Sequence, residues 1–115
     1  MASGTPGYVV LSVAPADRVL DGNEVVITAS FFTLADVPVD PTAATLAYEL
    51  SGVATSVGPT ALTKATVGVW AITVDTTGFC ASVGQQYVTA VCEVAGTGTC
   101  QCAGTISFQI DAEPF

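Results

Sequence analysis

Apolar and polar residues alternate with a period of two through most of this chain, the pattern of strands that bury one face. Val9, Leu11 and Val13 alternate with Val10 and Ser12, and Val25, Ile27, Ala29 and Phe31 alternate with Val26, Thr28 and Ser30. Leu46, Tyr48 and Leu50 stand against Thr45, Ala47 and Glu49, and Trp70, Ile72 and Val74 against Val69, Ala71, Thr73 and Asp75. Val88, Ala90, Cys92 and Val94 alternate with Tyr87, Thr89, Val91 and Glu93, and Ile106, Phe108 and Ile110 with Thr105, Ser107, Gln109 and Asp111. A weaker strand is expected over 61–66. Turn-formers separate the runs: DGN at 21–23, ADVPVDP at 35–41, SG at 51–52, VGP at 57–59, TTG at 76–78 and GTG at 96–98. No run sustains the three-and-four spacing of a helix. About seven short strands with a turn signal roughly every 8–12 residues predict an all-β antiparallel sandwich. At 115 residues the chain fits a single domain spanning 1–115, with short terminal arms.

Composition sharpens the picture. Half of the residues are hydrophobic and only 10% are charged, against roughly 25% in average soluble domains. Glycine, proline, threonine and acidic residues interrupt every apolar run before it reaches the roughly 18 residues of a membrane-spanning helix. No membrane partner is expected. Two basic residues, Arg18 and Lys64, face ten acidic ones, for a net charge of -8. Nucleic-acid binding draws on Lys and Arg to neutralise phosphates, so DNA and RNA are not expected partners either. The start, MASGTPGYVVLSVAP, lacks the basic segment of a secretory signal, which points to synthesis in the cytoplasm.

Three of the four cysteines lie in CEVAGTGTCQC, 92–102. If Thr97 centres the turn, Cys92 opposes Cys102 and Val94 opposes Cys100. Counting by twos, Cys100, Cys102, Gly104, Ile106, Phe108 and Ile110 share an apolar face, and Gln101, Ala103, Thr105, Ser107, Gln109 and Asp111 the polar one. Glu93 marks the outside of the partner strand, so Cys92 also points inward. Residues i and i+2 on a strand are about 6.5 Å apart, too far for both sulfurs to reach one zinc unless the strand bends. C-x-x-C is missing, which argues against a thioredoxin-like redox pair. Two readings stay open: buried free cysteines acting as small hydrophobes, and a Cys92–Cys102 disulfide. Cys80, after DTTG, is expected at a strand end or in a loop.

The chain has no histidine, which excludes serine–histidine catalysis and removes the commonest metal ligand. Asp36 and Asp40 sit in a proline-bounded turn, and Asp17, Asp21 and Glu24 follow a turn pattern, so capping explains them better than paired-carboxylate catalysis. DGNE lacks the regular oxygen ligands of a calcium loop, and no phosphate-binding glycine motif is present. Neither enzymatic activity nor any cofactor or metal is expected. Trp70 shares the inward parity of Ile72 and Val74 and is read as core; exposed, it could stack on a sugar. The outward positions hold Ala, Thr, Ser, Val and Gln rather than Lys and Glu, a composition suited to strands lying against a neighbour.

EVVITASFF, then VPVDPTAATLAYEL, then GVWAITVDTTG, resembles the immunoglobulin-like domains of small structural proteins of tailed bacteriophages. The matching positions are Pro38, Val39, Asp40, Pro41 and Thr42, followed by Gly68, Val69, Trp70 and Gly78. The resemblance spans 25–110. Antibody domains differ, because here Trp70 precedes both Cys80 and Cys92; the cysteine-rich final hairpin also departs from the phage pattern. The resemblance implies an immunoglobulin-like sandwich and a non-enzymatic virion component that decorates or stabilises the capsid exterior. Its partners would be the major capsid protein or other virion proteins, with self-association a further option. Tyr8, Val10, Pro114 and Phe115, in the terminal segments, are the candidate contacts. The alternative is a tail, fibre or bacterial surface module whose loops bind a glycan or receptor.

Overall fold

The computed structural model describes residues 4–50 and 56–112 and, within them, the side chains of all but 56–59, 82 and 83. Nine strands and one short helix occur among them: β1 Gly7–Ala14, β2 Arg18–Leu20, β3 Glu24–Thr33, β4 Ala43–Leu50, β5 Ser56–Ala61, β6 Thr63–Thr66, β7 Val69–Asp75, α1 Phe79–Val83, β8 Tyr87–Thr97 and β9 Cys102–Asp111. They form two sheets, ordered β1-β3-β7-β6 and β2-β9-β8-β4-β5. That is the strand order of an immunoglobulin-like sandwich, with β2 and β5 added at the edges of the second sheet. All neighbours run antiparallel except β2, which lies parallel to β9.

The alternation read from the sequence sets the interior. Val25, Ile27, Ala29 and Phe31 of β3 face Leu46 of β4, Val88, Ala90, Cys92 and Val94 of β8, and Phe108 and Ile110 of β9 in one buried cluster. Each fully buried Val, Leu, Ile or Phe contributes about 1.5–3 kcal/mol over its exposed state, and this layer of residues holds the sheets together. Val9, Leu11 and Val13 of β1 pack against its margin.

Several expectations need correction. Two strands lacked a pattern: β2 has three residues, too few to alternate, and the VGP expected as a turn at 57–59 lies inside β5. An edge strand tolerates that proline because one side of its backbone has no ladder to complete. Cys80 sits in α1 and is buried, not in a loop. Asp111 is also buried, although its parity pointed outward. The parallel pairing of β2 places Leu20 beside it, and its carboxylate accepts from Arg18 Nε at 2.7 Å and Gln109 Nε2 at 3.0 Å.

The largest correction concerns the final hairpin. Gly96 opposes Cys102 and Cys92 opposes Ile106, so the turn is centred on Thr99, two residues later than Thr97. A shift of two keeps every side chain on its predicted face, so Cys92 is still fully buried and Gln101, Ala103, Thr105 and Ser107 are exposed. The Cys92–Cys102 disulfide loses its geometric basis, and all four cysteines are free. Two glycines explain the shift. Gly98, at φ 76°, takes the left-handed turn position. Gly96 remains in β8, because a Cβ there would lie 2.8 Å from Phe31 Cε1 and 2.9 Å from the Cys100 carbonyl oxygen. Its missing side chain makes room for a core aromatic ring and has no role in the turn.

The end of the sandwich nearest α1 is tied by polar contacts. Asp21 accepts from the backbone N–H of Gly78 and of Cys80, each at 2.9 Å, which satisfies donors at the start of the helix. Thr76, fully buried, donates its hydroxyl to the Asn23 carbonyl at 2.6 Å and accepts from Gly22 N–H at 3.1 Å. Phe79 stacks on Tyr48 with ring centroids 5.6 Å apart.

Candidate functional site

Parity gives each sheet one outward face, and the two faces differ in charge. On β1-β3-β7-β6 the outward positions are Tyr8, Val10, Ser12 and Ala14 of β1, Val26, Thr28, Ser30 and Phe32 of β3, Val69, Ala71 and Thr73 of β7, and Thr63 of β6. None is charged. Glu24 and Asp75 close one end of the face, opposite each other in the register. Lys64, on the edge strand, is turned to Asp40 at 2.7 Å. The outward face of the other sheet carries Glu49 and Glu93, which line a shallow depression of about 410 Å³ with Ala47, Tyr48, Val91 and Thr105. The expectation of outward positions filled with Ala, Thr, Ser, Val and Gln rather than Lys and Glu therefore holds over the first sheet up to Glu24 at its end, and not on the second.

Apolar side chains extend the neutral face at its upper end. Tyr8 stacks on Phe32 with centroids 5.1 Å apart and donates its hydroxyl to Asp36 Oδ1 at 2.6 Å. That hydrogen bond is the main cause that raises the Tyr8 pKa, since the neutral phenol is the donor. Asp36 is held by a loop that doubles back on β3, where Val37 O accepts from Thr33 N–H and Phe31 O from Val39 N–H. The Phe31 N–H in turn donates to Gly68 O, which brings the β6–β7 turn to the same end. Val37, Val67 and Leu34 are exposed there at 54%, 58% and 70%. Sequence reading missed these three because they lie in turns, where alternation gives no parity.

Of the contact residues expected in the termini, Tyr8 is half-buried and Val10 is 54% exposed, and both lie on the neutral face. Pro114 and Phe115 fall outside the described residues.

Asp40 explains why PVDPT and GVW occur together. One carboxylate accepts from Gly68 N–H at 2.8 Å, from Trp70 Nε1 at 3.3 Å and from Lys64 at 2.7 Å. The Lys64 contact, then the Gly68 N–H, hold its pKa below the ordinary carboxyl value. The loop after β3 is thereby fastened to the turn before β7. Trp70 is half-buried against the core beside Ala29, and its N–H donates to Asp40.

The cysteines hold one surprise. Cys100 precedes β9 and sits in the turn, so the chain bends between the two residues and brings Cys100 Sγ to 3.6 Å from Cys102 Sγ. The flat-strand separation expected from the sequence does not apply. Burial is the main cause that pushes the Cys102 thiol up to about 12, and burial alone pushes Cys92 up to about 11, so both remain protonated at neutral pH. Among the described residues no group of three or more His, Cys, Asp or Glu could hold a metal.

No family model matches the chain, and no curated protein matches it. A solved structure of an engineered protein from a structural genomics consortium is similar, with a TM-score of 0.51 at 12% identity. It covers 94% of this chain, and the chain spans 20% of that protein's length. The likeness concerns the fold alone.

Proposed function

We propose that this chain is a non-enzymatic structural module that docks onto a larger protein assembly through the outward face of β1-β3-β7-β6. The observation that carries this reading is the charge distribution. The chain has ten acidic residues and a net charge of -8, yet this face has no charged position between Glu24 and Asp75 at one end and Asp36 at the other. A neutral face of β-branched and small residues sheds water at low cost when covered, because no ion has to be desolvated. Exposed Val10 and the apolar cluster of Leu34, Val37 and Val67 supply area for the contact.

The assembly proposed is the exterior of a tailed-phage capsid, with the major capsid protein as partner. Support comes from the resemblance of PVDPT and GVW to immunoglobulin-like virion domains, and from the Asp40 contacts that make those two motifs one structural unit. With the neutral face covered, Glu49 and Glu93 would look outward and give the particle an acidic coat. Purified capsids that lack this protein, mixed with it over a range of salt, provide the test. The expected result is saturable binding that persists at high salt, because the contact is not ionic. Absence of saturable binding removes the proposal.

A further inference from the structure

Each sheet of an open sandwich ends in two edge strands, whose unpaired N–H and C=O groups form a template for another strand unless something blocks it. Three of the four edges here carry a blocking device. β6 is four residues long and carries Lys64. β5 includes Gly58 and Pro59, and the proline has no N–H to offer. β2 is three residues long and begins with Arg18; it covers Gln109–Asp111 of β9, and the earlier part of β9 lies close to Val9 and Leu11 of β1 at Gly104.

β1 carries none. It is eight residues long, GYVVLSVA, without a charge or a proline. β3 pairs with it along its full length on one side. Among the described residues, no strand pairs with its other side; just before β1, the Pro6–Gln101 bridge and the hydrogen bonds of Thr5 N–H to Gly98 O and of Gln101 N–H to Thr5 O cover that end. In an antiparallel pair the backbone groups alternate in direction, so about half of those in β1 point away from β3.

We propose that this edge pairs antiparallel with the β1 edge of a second copy of the chain, joining two four-stranded sheets into one of eight. The occupant follows from charge and parity. A charge-free edge gains nothing from a basic or acidic strand, and two chains of net charge -8 approach with least repulsion where both are neutral. An added strand must also be neutral and must alternate in step with β1 so that both faces continue. β1 meets both conditions with itself. A two-fold axis at Leu11 sets Val9 against Val13 and Val10 against Ser12, inward with inward and outward with outward, as an isologous contact requires. The pair is independent of capsid binding, although it would double the neutral face available for it.

One strand pair is a small interface, so the association is weak and concentration-dependent. Sedimentation equilibrium of the full chain, without capsids, tests it up to about 1 mM protein, the weak limit of specific association. The expected result is a monomer–dimer equilibrium that strengthens severalfold as ionic strength rises from about 0.01 to about 0.15 M, as repulsion between the acidic chains is screened. The double variant Val10→Lys/Ser12→Lys sets lysine against lysine across the two-fold axis and is expected to stay monomeric with an unchanged circular dichroism spectrum. If that variant misfolds, amide exchange of the wild type replaces it, with protection of β1 expected to rise with concentration. A wild type that stays monomeric throughout, a folded variant that dimerises as well as wild type, or β1 amides indifferent to concentration would each overturn the proposal.

Discussion

Gly96→Ala tests the β8–β9 register through a single methyl group. Gly96 points inward, and the added Cβ would stand 2.8 Å from Phe31 Cε1 and 2.9 Å from the Cys100 carbonyl oxygen. Neither neighbour can yield easily, since Phe31 is fully buried and the oxygen belongs to the backbone of the turn. Forcing a methyl into a filled core costs about 1–3 kcal/mol. Glycine-to-alanine replacement returns about 0.4–1 kcal/mol by restricting the unfolded chain. The net destabilisation is then about 1–2 kcal/mol, or a fall in Tm of roughly 4–8 °C for a domain of this size. Urea denaturation with an unchanged slope measures it directly. With the turn centred on Thr97 instead, position 96 would flank the turn and alanine would be neutral or stabilising. A midpoint equal to or above that of wild type would therefore refute the register. Ala103→Val, exposed on the outward face, serves as the control and is expected to change stability by less than about 0.5 kcal/mol.

Other positions give independent checks. Thr76→Val keeps the shape but removes the hydroxyl that links Asn23 and Gly22, and urea titration should show a loss of about 1–3 kcal/mol; an unchanged midpoint would mean that these contacts contribute nothing. Asp40 has a folded pKa below its ordinary 3.8, so the stability it gives is complete above that value and is lost as pH falls through the lower folded one. Asp40→Asn should melt lower than wild type at neutral pH and lose less on acidification, as followed by Trp70 fluorescence; parallel pH profiles would contradict this. Burial keeps the Cys92 and Cys102 thiols protonated, so iodoacetamide at about pH 8 should leave both unmodified in the native protein and label them in urea. Oxidation of the chain unfolded in urea, followed by refolding and peptide mapping, checks the register as well; a Cys92–Cys102 linkage in the refolded protein would contradict it, because Cys92 stands opposite Ile106.

What could be read from the sequence was what period two encodes. Ile27, Phe31, Val88, Val94 and Phe108 announce their faces by alternation, and each is buried where that predicts. Alternation fixes parity but not register, and a hairpin shifted by two residues satisfies it equally well, so the pattern allows Cys92 opposite Cys102 as readily as opposite Ile106. The choice depended on Phe31, distant in sequence, needing the space above Gly96. Asp111 departs from its parity for a similar reason: its partner Arg18 lies in a three-residue strand with no pattern of its own. The composition of the outward faces was legible, but the difference between them was not. Assigning Glu49 and Glu93 to one sheet and the neutral positions to the other requires the strand order.

The most direct test of the account compares the two outward faces in capsid binding. Ser30→Lys places a charge in the middle of the neutral face, and Thr105→Lys places the same charge beside the depression on the opposite sheet. With both variants folded, the account predicts that Ser30→Lys abolishes saturable binding to purified capsids while Thr105→Lys binds as wild type does. Loss of binding by Thr105→Lys, with Ser30→Lys unaffected, would contradict it.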